Sequence, residues 1–197
     1  TCPLITKSDG SKFGKSEGGN VWLDAKRTSP YKFYQYWLNS SDEDAEKYIK
    51  IFTFLGQEEI ETIVKSHKEA PHQRGLQKRL AQEITTMVHS IADFENAERA
   101  SNVLFSKTFK ADIATIDEET FLDVFEGVPQ AELPKSDLDS GLDMIAALSA
   151  KTEFLNSNGE ARRALKENSV SVNKEKVKED YTISSDDLIN GTYVILN

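Results

Sequence analysis

Apolar residues recur at helical spacing through residues 29–107, and this periodicity limits the possible folds more than any other feature of the sequence. Stripes of this kind must be buried against one another, so the segment predicts a compact helical bundle. The apolar positions that define the five expected helices are Tyr31, Phe33, Tyr34, Trp37 and Leu38; Tyr48, Ile49, Phe52 and Leu55; Ile60, Ile63 and Val64; Leu76, Leu80, Ile84, Met87 and Val88; and Phe94, Ala97, Ala100, Val103 and Leu104.

Local signals predict where these helices begin and end. Ser29 before Pro30 is typical of a helix start, because serine caps free N–H groups and a proline at the first helical position loses no hydrogen bond. We expect the second helix to begin at Ser41 and to stop at Gly56, since glycine commonly follows a helix C-terminus. Pro71 is expected to open the fourth helix, and a short strand is expected at Leu4–Lys7.

Charge separates the remainder of the chain into an acidic and a basic stretch. Residues 117–143 hold nine acids and one base, and the pattern there predicts a short helix at Glu119–Phe125 followed by an acidic linker. Residues 151–178 hold seven bases and four acids, in a chain with 24 Lys plus Arg against 33 Asp plus Glu and a net charge of −9. This reversal of sign singles out the C-terminal part as a candidate for binding anions.

The sequence pattern of the C-terminal part predicts a small α+β module. Helical patterns run from Leu142 to about Ala150 and again from Ser157, where Ser157 and Glu160 form a capping box. A strand at residues 170–172, a turn at residues 173–174 and a closing strand at residues 193–196 follow. The fold class is therefore mainly α with a small α+β module, and the expected domains are 1–28, 29–116, 117–140 and 141–197.

A glycine-rich loop near the start carries the first candidate site. Lys12 and Lys15 lie three residues apart in Lys12–Ser16, and two such lysines can close over a polyphosphate and neutralise charge on it. A Walker loop is excluded, because its first glycine would have to stand where Asp9 does. The alternative interpretation is a solvated linker.

A basic helix carries the second candidate site. Arg162, Arg163 and Lys166 cluster over one and a half turns, and the hairpin that follows adds Asn173, Lys174 and Lys176. A cationic helix face beside a strand edge can follow a nucleic-acid backbone by its shape, as RNA-binding modules do. The alternative is an ordinary solvated face.

Other chemistries find no support in the sequence. No apolar run approaches the roughly 18 residues that a membrane span needs, and the three histidines lack metal-ligand spacing, so no metal site is expected. Cys2 is the only cysteine, which makes a reducing cytoplasm the default location. Because the chain begins at Thr1 rather than at methionine, we expect it to be a piece of a longer protein.

Several stretches together resemble bacterial tyrosyl-tRNA synthetases, which are class I synthetases. The resemblance is carried by residues 3–16, 21–24 and 28–37, in which Lys12–Ser16 is similar to the class I signature loop in its Phe-Gly form. Residues 159–163 and 170–173 resemble the S4 RNA-binding fold that closes those enzymes. The resemblance covers essentially the whole chain.

The resemblance implies a function in the ATP-dependent attachment of tyrosine to its tRNA. Lys12 and Lys15 would then act on the ATP phosphates and the leaving pyrophosphate with Gly14 and Ser16, and Mg²⁺ would accompany ATP. Residues 1–28 would be a remnant of the catalytic domain, residues 29–116 the anticodon-arm domain and residues 141–197 an S4-like domain. Arg162, Arg163, Lys166, Asn173, Lys174 and Lys176 would contact tRNA-Tyr.

The sequence departs from that family in one respect, and two other classes of protein fit part of the pattern. The nucleotide-binding sheet and the histidine-glycine signature are absent from the sequence, so the isolated chain is expected to be an inactive monomer without a cofactor, and the parent a homodimer. The rivals are a stand-alone S4-type RNA-binding protein without catalysis, and a helical protein–protein adaptor.

Overall fold

A computed structural model describes residues 5–11, 13, 15–16, 19–103, 106, 109–139 and 141–197. The chain is mainly helical, as predicted, and divides into two compact units. Unit 1 comprises Thr1–Asn102 with Glu118–Val124, and unit 2 comprises Val103–Asp117 with Phe125–Asn197. These bounds differ from those of the expected domains, because Val103–Asp117 belongs to unit 2 and the short helix at Glu118–Val124 belongs to unit 1. No helix in the described ranges combines the length and hydrophobicity needed to cross a bilayer.

Unit 1 is a bundle of amphipathic helices. Its helices are α1 (Pro30–Leu38), α2 (Asp42–Phe52), α3 (Gln57–Glu69), α4 (Gly75–Val88), α5 (Ile91–Val103, whose last residue is assigned to unit 2) and α7 (Glu118–Val124). The hydroxyls of Ser29 and Ser41 accept hydrogen bonds from the backbone N–H groups of Lys32 and Asp44, as expected for serine caps. The caps confirm both predicted helix starts.

Two of the predicted helix boundaries are wrong. Gly56 has an extended backbone and precedes the first residue of α3, whereas α2 ends before Thr53. Pro71 opens only a short 3₁₀ turn, Pro71–Gln73, and α4 begins at Gly75. Arg74 separates the two with a left-handed backbone (φ 54°), which a continuous helix does not tolerate.

A cluster of aromatic rings joins the N-terminal loop to the bundle. The ring of Phe13 lies 5.0–6.3 Å, centroid to centroid, from the rings of Tyr36, Trp37, Tyr48 and Phe52. Ring pairs at this separation add to the free energy gained by burial. Phe13 therefore anchors the loop on α1 and α2.

Polar contacts hold the segment before Phe13 on α2. Asp44 is buried and accepts hydrogen bonds from the Ser8 backbone N–H (2.8 Å) and hydroxyl (3.2 Å), while the Lys47 ammonium donates to the Thr6 carbonyl (2.8 Å). Within the described residues of the predicted strand Leu4–Lys7, Thr6 makes only a single β-bridge, so that strand is not formed there. Leu4 lies outside the described residues.

Unit 2 combines short helices with small antiparallel pairs of strands. Its elements are α6 (Phe109–Ile113), α8 (Ser136–Asp139), β3 (Leu142–Asp143), α9 (Met144–Ala146), a π-helical turn (Ala147–Lys151), α10 (Asn158–Lys166), β4 (Ser171–Val172), β5 (Glu175–Lys176) and β6 (Thr182–Ile183). Strand β3 pairs with β6 and β4 pairs with β5. Apolar side chains of β3, β4 and β6 form one core with those of α9 and α10.

The predicted closing strand is reduced to isolated bridges. Within the fully described range 141–197, Tyr193 bridges Ile189 and Leu196 bridges Val172, without a continuous ladder between them. The chain end is nevertheless held, because the backbone N–H groups of Ser171 and Asn197 each donate to the other residue's carbonyl, at 2.7 and 3.0 Å.

Replacing Phe13 by alanine should lower the free energy of unfolding of unit 1 by about 2 kcal/mol, because the ring is packed among four others. Phe54→Ala is the matched control, since that ring is 94% exposed and its loss should change stability by less than about 0.5 kcal/mol. Urea unfolding monitored by tryptophan fluorescence measures both. Equal effects of the two substitutions would contradict the anchoring role.

Candidate nucleic-acid interface

Helix α10 positions the predicted basic residues. The predicted cap is present, because the Ser157 hydroxyl accepts a hydrogen bond from the Glu160 N–H (3.2 Å). The Glu160 carboxylate accepts from the Asn156 N–H (3.0 Å) rather than from the Ser157 N–H, so the reciprocal bond of the predicted capping box is shifted by one residue. Ala161 and Leu165 are buried in the core of unit 2. The side of α10 that carries these two residues therefore faces the core of unit 2.

The opposite side of α10 is cationic. Arg162, Arg163 and Lys166 are all exposed, and at 3.6 residues per turn they span an arc of about 100°. Arg163 and Lys166 lie in the last turn, where the helix dipole favours positive charge. Arg162 forms an exposed ion pair, with its Nε 3.4 Å from Oε1 of Glu179.

The hairpin after α10 places its residues differently from the prediction. Asn173 and Lys174 form the β4–β5 turn with φ angles of 48° and 71°, the conformation that a two-residue hairpin needs. Asn173 is 4% exposed: its amide donates to the Asp187 carbonyl (2.6 Å) and accepts from the Ile195 N–H (3.0 Å). This corrects the assignment of Asn173 to RNA, because both ends of its amide are committed to the backbone.

Asp187 organises the surroundings of that turn, a role that the sequence analysis did not assign. Its carboxylate accepts hydrogen bonds from the Tyr181 hydroxyl (2.5 Å) and the Ser184 N–H (2.9 Å). The bond to Asp187 is the main cause that raises the pKa of Tyr181 to about 12, because only the protonated phenol can donate it. The Ser184-to-Asp187 spacing, which resembles a capping box, was the available signal.

The lysines of the hairpin make two different sets of contacts. The Lys176 ammonium donates to the carbonyl of Ser169 (3.1 Å), in the loop that directly follows α10. The Lys174 ammonium instead lies 5.9 Å from the centre of the Phe109 ring. We therefore define the basic face as Arg162, Arg163, Lys166 and Lys176, and treat Lys174 as a neighbouring cation.

Most of the predicted phosphate loop lies beyond what the structure describes. Lys12 and Gly14 lie outside the described residues; Lys15 and Ser16 form β1 (Lys15–Ser16), which pairs antiparallel with β2 (Gly19–Asn20), but their side chains also fall outside the description. The described contact of this loop with the bundle is that of the Phe13 ring with the aromatic rings of α1 and α2. Within the described ranges, no group of three or more His, Cys, Asp or Glu side chains could hold a metal ion.

Comparison with known proteins gives two matches to family models. The family described as tRNA synthetases class I (W and Y) matches residues 1–106, and a tyrosine–tRNA ligase SYY-like C-terminal domain matches residues 120–197. These matches cover both units.

Individual relatives match across the whole chain. The chain is 61% identical over 196 residues to a tyrosine–tRNA ligase of Flavobacterium johnsoniae and 52% identical to one of Porphyromonas gingivalis. The alignments cover 100% and 99% of this chain but 46% of each relative, so the chain spans about half of their length. A truncated mitochondrial tyrosyl-tRNA synthetase of Coccidioides posadasii is 36% identical with a TM-score of 0.43, over 49% of this chain and 25% of that one.

Replacing Asn173 by alanine should destabilise unit 2 by about 2 kcal/mol, because two buried backbone groups lose their partners. Asn173→Asp keeps the acceptor for the Ile195 N–H but places a buried carboxylate oxygen against the Asp187 carbonyl, so it should destabilise unit 2 at least as much as alanine does. Chemical denaturation of both variants measures the effect. An alanine variant of wild-type stability with reduced RNA affinity would restore Asn173 to the RNA-binding set.

Proposed function

Because the chain belongs to the tRNA synthetases of class I (W and Y), we propose that it is the part of a tyrosine–tRNA ligase that supplies tRNA recognition and a phosphate-binding loop. The parent reaction is the ATP-dependent attachment of tyrosine to tRNA-Tyr. The whole-chain identity to tyrosine–tRNA ligases supports this choice of amino acid and tRNA.

The observation that carries the proposal is the basic face on an otherwise acidic chain. With a net charge of −9 overall, the chain attracts a polyanion only where cations are concentrated. Three exposed cations on one side of α10, with Lys176 beside its C-terminal loop, form such a site. We propose that they contact phosphates of tRNA-Tyr, with Arg162 and Arg163 able to grip a phosphate through two N–H groups at once.

We further propose that unit 2 contains an S4-like RNA-binding module in residues 141–197. A short capped helix followed by a tight hairpin, both contributing cations, supports this assignment. Such a module recognises RNA mainly by shape and backbone contacts.

In the loop of unit 1, we propose that Lys12 and Lys15 bind the ATP phosphates with Gly14 and Ser16. Phe13 supports this role, because its packing among four aromatic rings keeps the loop on the bundle. A lysine ammonium beside the leaving pyrophosphate would offset the negative charge that develops there. Mg²⁺ would be held by the ATP phosphates, as is usual for this ion.

The assembly and the location of the parent protein follow from the same assignment. We propose that the parent protein is a cytoplasmic homodimer that assembles through its catalytic domain. The isolated chain, without the nucleotide-binding sheet, would be a monomer that binds tRNA and catalyses no adenylate formation.

Binding of tRNA-Tyr should depend steeply on salt. Four to seven phosphate contacts give a slope of log K against log salt of about −3 to −6. The double reversal Arg162→Glu and Arg163→Glu should abolish most of the binding, whereas Lys65→Glu with Lys78→Glu, the same charge change at exposed positions of α3 and α4, should cost far less. Fluorescence anisotropy at several salt concentrations measures this. A slope near zero, or equal losses in the two double variants, would refute the assignment.

Replacing Glu179 by glutamine should increase the affinity for tRNA-Tyr about two- to threefold, because it frees Arg162 from a competing carboxylate. The increase should disappear when Arg162→Gln is already present, since the pair no longer exists. An increase that survives in that background would mean that Glu179 acts only through overall charge.

A further inference from the structure

An exposed loop of unit 1 carries a cation stacked on an indole. The guanidinium carbon of Arg27 lies 4.4 Å from the centre of the Trp22 ring, and Trp22 is 42% exposed. Arg27 and the neighbouring Lys26 are exposed as well, and neither has a carboxylate partner among the ion pairs of the described residues. The sequence analysis places this loop in the catalytic-domain remnant, residues 1–28, but neither it nor the proposed function gives Trp22, Lys26 or Arg27 a role.

Backbone hydrogen bonds hold the loop in shape. The Asp24 carbonyl accepts from the N–H groups of Arg27 (2.9 Å) and Thr28 (3.1 Å), and its carboxylate accepts from the Lys26 N–H (3.0 Å). The Thr28 hydroxyl in turn accepts from the Trp22 N–H (2.9 Å). These bonds close the loop, so that the indole and the guanidinium face each other without needing a ligand to bring them together.

The chemistry of the pair fits nucleic acid. A guanidinium that lies on an aromatic face keeps the N–H groups along its edge free for a phosphate. A nucleobase can stack on an exposed aromatic ring or on a guanidinium plane, and each stacked base contributes roughly 1–3 kcal/mol. Because an exposed indole is also costly to leave in water, covering it adds to the driving force.

We propose that Trp22, Lys26 and Arg27 form a second RNA-binding site, which takes a phosphate and the adjoining base of a single-stranded RNA segment. The site belongs to unit 1 and uses none of the residues of the basic face. The proposal rests on the proposed function in one respect, namely that RNA is the partner of the chain.

Tryptophan fluorescence tests the site directly. The chain has two tryptophans, and Trp37 is only 5% exposed, so Trp22 should dominate any change on binding. A 12-nucleotide single-stranded RNA of mixed sequence should quench the emission of the wild-type chain. In the Trp22→Phe variant the quenching should disappear. Quenching that persists in this variant, or its absence in the wild-type chain, would overturn the stacking.

Affinity measurements with the same oligonucleotide test the cation. Arg27→Gln should weaken binding about fivefold or more and reduce the magnitude of the salt slope by about 0.7, the value for one phosphate on a single strand. Lys78→Gln, which removes an exposed charge from α4, is the control and should change the affinity by less than twofold. Because Arg27 is at the surface, circular dichroism should show both variants folded. Equal effects of the two substitutions would overturn the site.

Titration of full-length tRNA-Tyr separates this proposal from the proposed function. Loss of affinity on Arg162→Glu with Arg163→Glu, but none on Trp22→Ala or Arg27→Gln, would leave the basic face standing and refute the second site. The reverse result would refute the basic face and support the loop. No loss in either set would refute both.

Discussion

The burial of Ala161 and Leu165 is the interaction on which the placement of the charges of α10 depends. A helix of nine residues has little stability of its own, so α10 forms because its apolar side joins the core of unit 2. Once that side is fixed, the helical repeat leaves Arg162, Arg163 and Lys166 no direction other than outward. The basic face is thus a consequence of two small apolar contacts and one serine cap.

Phe13 has the corresponding role for the glycine-rich loop of unit 1. Glycines lower the cost of unusual backbone conformations but raise the entropy that is lost when a loop adopts one structure. Burial of one aromatic ring among four others offsets part of that loss and fixes one point of the loop on the bundle. A single aromatic residue can therefore anchor a glycine-rich loop to the core beside it.

The features that the sequence predicted correctly are those set by near neighbours. The Ser29, Ser41 and Ser157 caps and the apolar stripes depend on residues within four positions, and all three caps are present. Asn173 was misjudged because its partners, Asp187 and Ile195, lie 14 and 22 residues further along the chain. Gly56 was misjudged because glycine occurs at both ends of helices.

A chain of net negative charge can bind a polyanion only through cations that are not already paired with carboxylates. Arg162 and Arg27 differ in this respect. The Glu179 carboxylate lies 3.4 Å from the Nε of Arg162, so a phosphate that binds this arginine competes with an anion already beside it. The guanidinium carbon of Arg27 instead lies over the Trp22 ring, 4.4 Å from its centre, and this contact brings no competing anion to the arginine. The contact with the indole therefore orders the Arg27 side chain without pairing its charge. We expect a phosphate to bind Arg27 more readily than Arg162 for this reason.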